Sequence, residues 1–291
     1  MGKADRLRQH SARQKIAAQQ AAVRRSEIRR RATIAGASVA VVLVLVIVVI
    51  IVSVTRSPAG SAPSVADAAV AREIGTVPTA TYNEIGAGAA GGLNPITGEP
   101  ELTVGSKPEL LYMGGEFCPY CAAERWVIAA AVSRFGALAG LRFIRSSPLD
   151  SYPNTPTLTF ASAHYTSKYL QFVPVEWYGE KPDPATPLQH VYLQHPTQQQ
   201  RTLFGKYAGG AIPFVDIGNR YVLPATQYVP SALAGLSWAQ VAAAMHNPAS
   251  SVGKDIDGAA NVITAAICRL TKDQPAGVCS SGGVTAASRS I

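Results

Sequence analysis

Two cysteines separated by two residues, Cys118-Pro119-Tyr120-Cys121, carry the clearest chemistry in the chain. They close an apolar stretch, Glu109 to Met113, and open a helix-like run from Ala122 to Phe135. A cysteine at a helix N-terminus can have its thiol pKa lowered from about 8.5 to roughly 3.5 to 7.5, and the thiolate is the nucleophile. A second cysteine one turn later can resolve a mixed disulfide formed by the first. Three chemistries fit such a pair: thiol–disulfide exchange, metal binding or delivery (copper or zinc), and an inert structural pair. Exchange is the leading expectation, with Cys118 attacking and Cys121 resolving. A closed metal site takes about four ligands, yet no second CxxC or CxxH occurs and His164, His190, His195 and His246 are scattered. No cofactor and no metal is expected.

Cys268 and Cys279 form the other pair, one in a predicted helix and one in the loop after it. In an oxidising compartment their expected state is a structural disulfide, and a second redox relay recharging Cys121 is the alternative. Trp126, five residues beyond Cys121, reads as core packing.

The elements that must position Cys118 are legible from periodicity and punctuation. Glu101 to Val104 and Glu109 to Met113 read as strands, and a helix is expected from Pro119 to Phe135. Pro119 suits the first helical position, where a missing N–H costs nothing, and Gly136 suits the stop. Leu141 to Ile144 is the next strand, and its short spacing from the helix predicts a parallel strand–helix–strand crossover. Residues 148 to 196 are rich in proline and aromatics, with extended patches at Thr157 to Phe160 and Tyr169 to Tyr178. They read as an insertion of strands and loops that shapes a binding surface, since disordered segments lack aromatics. A helix over Thr197 to Tyr207, the hairpin Phe214 to Ile217 and Tyr221 to Leu223 through Gly218-Asn219, a helix capped by Ser237 and running through Met245, and a last helix Asp257 to Leu270 complete the pattern. Upstream, residues 65 to 74 suit a short helix and Gly86 to Pro100 a loop.

Charge is placed very unevenly. The chain of 291 residues has a formal charge of +8. Residues 1 to 31 carry ten Lys/Arg against Asp5 and Glu27, a balance of +8, so the remaining 16 basic and 16 acidic residues cancel. Ala32 to Thr55 is free of charge and fits the roughly 20 residues that cross a bilayer core. A cleaved signal peptide, with an apolar region of about 7 to 15 residues, fits the length less well. The Arg24 to Arg31 cluster just before the span puts the N-terminus in the cytoplasm. The organisation expected is a basic cytoplasmic tail (1–31), a transmembrane helix in contact with membrane lipid (32–55), a linker and N-terminal extension (56–100), an extracytoplasmic domain (101–280, insertion 148–196) and a C-terminal tail (281–291). The tail lacks aromatics and adjoins the membrane, so its charge is read as a topology signal and no nucleic-acid partner is expected.

Taken together, the order strand, CxxC at a helix start, strand, helix, Ile-Pro, hairpin, helix resembles a thioredoxin-like domain of α/β class. More closely, Cys118-Pro-Tyr-Cys-Ala-Ala-Glu-Arg-Trp126, Ser151-Tyr-Pro-Asn-Thr-Pro-Thr157, Phe172-Val-Pro-Val-Glu176 and Ile212-Pro-Phe-Val-Asp-Ile-Gly218 resemble domain of unknown function family 929, membrane-anchored thioredoxin-like proteins, over most of residues 65 to 280. The resemblance implies that Pro213 is cis and faces the CxxC, and that Ile212 pairs with an extended substrate. It implies no particular substrate. Where thioredoxins keep a buried carboxylate, six residues before the first cysteine, this chain has Tyr112; Glu116 is nearer and is expected to be a solvated loop anion that would raise the Cys118 pKa. The function expected is a membrane-anchored, extracytoplasmic thiol–disulfide oxidoreductase acting on protein thiols or disulfides of the envelope, with an unknown redox partner. The alternatives are a non-catalytic envelope binding module and copper or zinc delivery.

Overall fold

The computed structural model describes residues 64–185 and 190–291. The expected basic tail, the apolar span 32–55 and the spacer up to residue 63 lie outside the described residues. Among the described residues, no helix is long and apolar enough to cross a membrane.

Helices α1 (Val65–Gly75) and α2 (Thr79–Ile85) lead into β1 (Asn94–Pro95), β2 (Thr103–Val104), β3 (Lys107–Gly115) and α3 (Pro119–Ser133). Six strands follow: β4 (Gly136–Ala139), β5 (Arg142–Arg145), β6 (Pro156–Thr159), β7 (His164–Ser167), β8 (Gln171–Pro182) and β9 (His190–Tyr192). Helix α4 (Gln198–Ala208), the hairpin β10 (Phe214–Ile217) and β11 (Tyr221–Leu223), then α5 (Trp238–Met245), α6 (Ser251–Leu270), α7 (Ala276–Cys279) and α8 (Gly282–Ala287) complete the order.

The central sheet is mixed, in the order β1-β11-β10-β3-β8-β9, with β2 pairing β3. Strand β3 lies at its heart, parallel to β8 and antiparallel to β10. Its side chains alternate between two cores. Leu110 and Tyr112 enter the larger one with α3, α5 and α6, whereas Leu111 and Met113 join Phe204, Phe214 and Val222 on the α4 side. A strand buried on both faces loses the polar alternation of a half-exposed one, which accounts for the continuous apolar run Leu110 to Met113. Helix α3 is likewise apolar nearly all round and buried from Cys121 to Val132, as expected of a helix sandwiched between layers.

Three expectations give way. Strand β5 does not return parallel to β3; it pairs antiparallel with β6 in a separate two-stranded sheet. The parallel neighbour of β3 is β8, so the segment expected as an insertion supplies a central strand. The C-terminal stretch after residue 280 is folded, because α8 buries Val284 and Ala287. Gly283 permits that approach, since a Cβ there would stand 2.3 Å from the Tyr82 carbonyl oxygen. Helix α2 was not legible because Pro78 precedes it and supplies no side-chain cap.

Other boundaries agree closely. Ser237 caps α5 and forms a capping box with Gln240, and Thr197 does the same with Gln200 at α4. The last helix starts earlier than expected, at Ser251, because Ser250 caps it.

Candidate functional site

Cys118 is the N-cap of α3, in extended backbone conformation, and Pro119 occupies the first turn. The chain reaches this point through Gly115, whose carbonyl accepts the Cys118 N–H at 3.2 Å. The Phe117 carbonyl accepts the Ser147 N–H at 2.8 Å, which anchors the same turn from outside. The Cys118 sulfur accepts the Cys121 backbone N–H at 3.3 Å, as capping side chains do. Its thiol also points at the Ile212 carbonyl, 3.9 Å away.

The residue pair expected opposite the cysteines is therefore beside them. The Ile212–Pro213 peptide is cis, and both residues line an apolar groove of about 400 Å³ together with Tyr120 and the segment 224–229. The outer wall of this groove is tied to α3: Tyr228 donates its hydroxyl to the Ala123 carbonyl at 2.9 Å, and the Gln227 N–H donates to Glu124 Oε2 at 3.2 Å. Tyr120 is exposed at the rim and packs edge-on against Tyr152.

The two free thiols are electrostatically unlike. The bonds that Cys121 makes to its sulfur pull the Cys118 thiol down, ahead of the effect of burial, and the Arg125 guanidinium adds to the lowering. Burial pushes the Cys121 thiol well up, and its hydrogen bond to Cys118 adds to that. Cys118 is thus the more readily ionised of the two sulfurs, the asymmetry that attack followed by resolution needs.

Beneath the pair lies a charged network that sequence reasoning missed. Arg125, on α3, grips Glu176 of β8 in a two-point bond, Nε to Oε1 and Nη2 to Oε2, each 2.8 Å, and both side chains are 0% exposed. Glu176 Oε1 also accepts the Phe160 N–H at 3.1 Å. Tyr112 is fully buried under the guanidinium, 5.9 Å from ring centre to carbon. Gly114 leaves room for its phenol, because a Cβ there would sit 2.0 Å from the hydroxyl. The available signal was two charges, Glu124 and Arg125, inside an otherwise apolar helix.

Glu116 is corrected. It is buried rather than solvated, Thr159 donates to its Oε1 at 2.6 Å, and burial, reinforced by the nearby Glu176 carboxylate, pushes its carboxyl up toward the neutral form. It is not the free anion beside Cys118 that the loop position suggested. Trp126 is core, as expected, with its indole N–H bonded to the Pro156 carbonyl at 2.9 Å.

Cys268 of α6 and Cys279 of α7 form a disulfide with each other, apart from the Cys118 pair. Among the described residues, no group of three or more His, Cys, Asp or Glu side chains is arranged to hold a metal ion.

Residues 98–269, more than half of the chain, match the family described as Domain of unknown function (DUF929). No curated protein and no solved structure matches the chain.

Proposed function

Because the chain belongs to the DUF929 family, whose description assigns no chemistry, we propose its function from the site itself: a membrane-anchored, extracytoplasmic thiol–disulfide oxidoreductase of thioredoxin-like fold, acting on envelope proteins. The observation that carries the proposal is the unequal pair of free thiols at one helix start, with Cys118 lowered and Cys121 raised. Backbone N–H groups of the first turn of α3 favour negative charge on the Cys118 sulfur.

The step balances without a cofactor. The Cys118 thiolate attacks one sulfur of a substrate disulfide, an S–S bond forms, and the other substrate sulfur leaves as a thiolate that takes up the proton of Cys121. Cys121 then attacks the Cys118 sulfur, closing the Cys118–Cys121 disulfide and releasing the second substrate thiolate. Two electrons pass to the substrate, and a partner dithiol must return them. Run backward, the same steps oxidise a substrate dithiol. Ile212 and Pro213 hold the substrate backbone beside Cys118, and the groove rimmed by Tyr120 takes its apolar side chains.

The Cys268–Cys279 disulfide supports an oxidising compartment. The basic cluster Arg24 to Arg31 followed by the uncharged stretch Ala32 to Thr55 supports a single span with the N-terminus in the cytoplasm.

The test is a Cys121→Ser chain expressed in the membrane. Mixed disulfides should accumulate through Cys118, resolvable by reductant and lost in the Cys118→Ala, Cys121→Ser double variant. A Cys121→Ser chain that traps no protein under oxidising stress contradicts the proposal.

A further inference from the structure

We infer that Arg125 is a positioning residue for the cysteine pair: pinned by Glu176, its guanidinium holds a buried positive charge beneath both sulfurs and stabilises the reduced, thiolate form. The inference rests on the exchange function proposed above and extends it to a residue outside the CxxC.

The geometry comes from the helix itself. Arg125 follows Cys121 by four residues, and side chains at that spacing share one face about 5 to 6 Å apart. Helical side chains also lean toward the N-terminus, which aims the guanidinium back at the turn that carries the sulfurs. Its place is fixed. Two hydrogen bonds to Glu176 and complete burial leave it one orientation, while its Nη1 has no hydrogen-bond partner among the described residues.

A buried ion pair is a poor source of stability, since desolvating both charges costs several kcal/mol per ion and a hydrophobic pair of like volume is often as stable. The pair therefore asks for another role. The other titratable groups packed around it are Tyr112 from β3, Glu116 from the turn before α3, and Glu176 itself from β8. Tyr112 and Glu116 are both pushed toward their neutral forms, chiefly by burial. Arg125 is the cation that acts on both Cys118 and Cys121, lowering each. In this chain a cation thus occupies the ground beneath the cysteines, where Tyr112 offers no carboxylate.

The sign of the charge is what the experiment reads. In a full-length Cys121→Ser background Cys118 is the free thiol, because Cys268 and Cys279 are bonded to each other. The pH profile of its alkylation by iodoacetamide gives its acid constant, with near-UV circular dichroism reporting the fold. Arg125→Met combined with Glu176→Gln should raise the midpoint by about one unit, a tenfold change. Glu176→Gln alone should lower it, because the guanidinium is left without its counter-charge. Arg125→Lys should stay within about threefold of the parent. With Cys121 restored, the double variant should have a reduction potential lower by about 30 mV, the same tenfold change for a two-electron couple.

A purely structural role moves both Glu176 variants in the same direction or moves neither. A folded double variant whose midpoint does not rise overturns the inference, and so does a folded Glu176→Gln whose midpoint does not fall. If neither folds, a tenfold rise in Arg125→Lys overturns it. Alkylation needs no substrate, so these outcomes stand apart from the trapping result that decides the exchange function.

Discussion

Replacing Glu124 by Gln should make the protein more stable at alkaline pH and leave it nearly unchanged in acid. Glu124 sits inside α3, fully buried, with Oε2 accepting from the Gln227 N–H and the Thr226 hydroxyl and Oε1 without a hydrogen-bond partner among the described residues. Burial raises its carboxyl from 4.5 to about 8, against the lowering effect of those two bonds. An acid whose folded pKa is raised binds its proton more tightly in the native state than in the unfolded one. Its cost is absent below the unfolded value, grows as pH rises from 4.5, and is complete above about 8. The interval corresponds to a penalty on the order of 5 kcal/mol. Glutamine keeps the acceptor oxygen for Gln227 and Thr226 and cannot ionise, so it avoids that penalty. At a urea slope of roughly 2.5 kcal/mol/M for a domain of this size, the midpoint of Glu124→Gln should exceed the parent by about 2 M at pH 8.5. At pH 4.5 the two should agree within about 0.5 kcal/mol. Urea titrations of the full chain at both pH values read the difference directly. A variant no more stable than the parent at pH 8.5, or a gain of equal size at both pH values, refutes the reasoning.

Removing the second cysteine pair should be costly to the fold and neutral to the thiol chemistry. Cys268 and Cys279 are 11 residues apart, and opening so short a loop corresponds to about 2.8 kcal/mol of lost stability; denaturation of a Cys268→Ala, Cys279→Ala chain checks this, with Cys118 alkylation unchanged. Gly283→Ala should lower stability by at least about 1 kcal/mol, because a Cβ 2.3 Å from the Tyr82 carbonyl forces α8 away from α2; thermal unfolding reports it. Tyr120→Ala strips the exposed rim of the groove. It should slow exchange with protein disulfides severalfold while leaving the rate with a small disulfide such as oxidised glutathione within about twofold, as measured by stopped-flow fluorescence.

Much of the fold could be read from local chemistry because the signals were local. Ser237 and Thr197 cap helices through bonds to their own N3 residues, and Gly218-Asn219 turns a hairpin where both residues take positive φ. Pro119 and Cys118 mark a helix start that is as sharp in space as in sequence. What failed was pairing between distant strands. Nothing in the Leu141 to Ile144 pattern distinguishes a strand that joins the central sheet from one that leaves it for β6, and only the backbone pairing shows that Phe172 to Glu176 lies beside β3.

The site divided in the same way. Residue type and spacing singled out Cys118 and Cys121, the family resemblance singled out Ile212 and Pro213, and the structure brings the four together. Glu116, Glu124, Arg125 and Glu176 do not carry their roles in residue type and spacing, because charged residues are mostly solvated and only contacts between segments distant in sequence bury these four. Burial then inverts the meaning of Glu116: a loop anion expected to oppose the thiolate becomes a carboxyl pushed toward neutrality and held by Thr159.

The most direct measurement is a redox titration of the full chain in membranes against reduced and oxidised glutathione, followed by mass spectrometry of each cysteine. Cys118 and Cys121 should interconvert between dithiol and disulfide with a single midpoint over the range −120 to −270 mV spanned by known exchange proteins, while Cys268–Cys279 stays oxidised throughout. A Cys118–Cys121 pair that stays reduced across the titration, or that once oxidised cannot be returned, contradicts the central claim that this helix start exchanges disulfides.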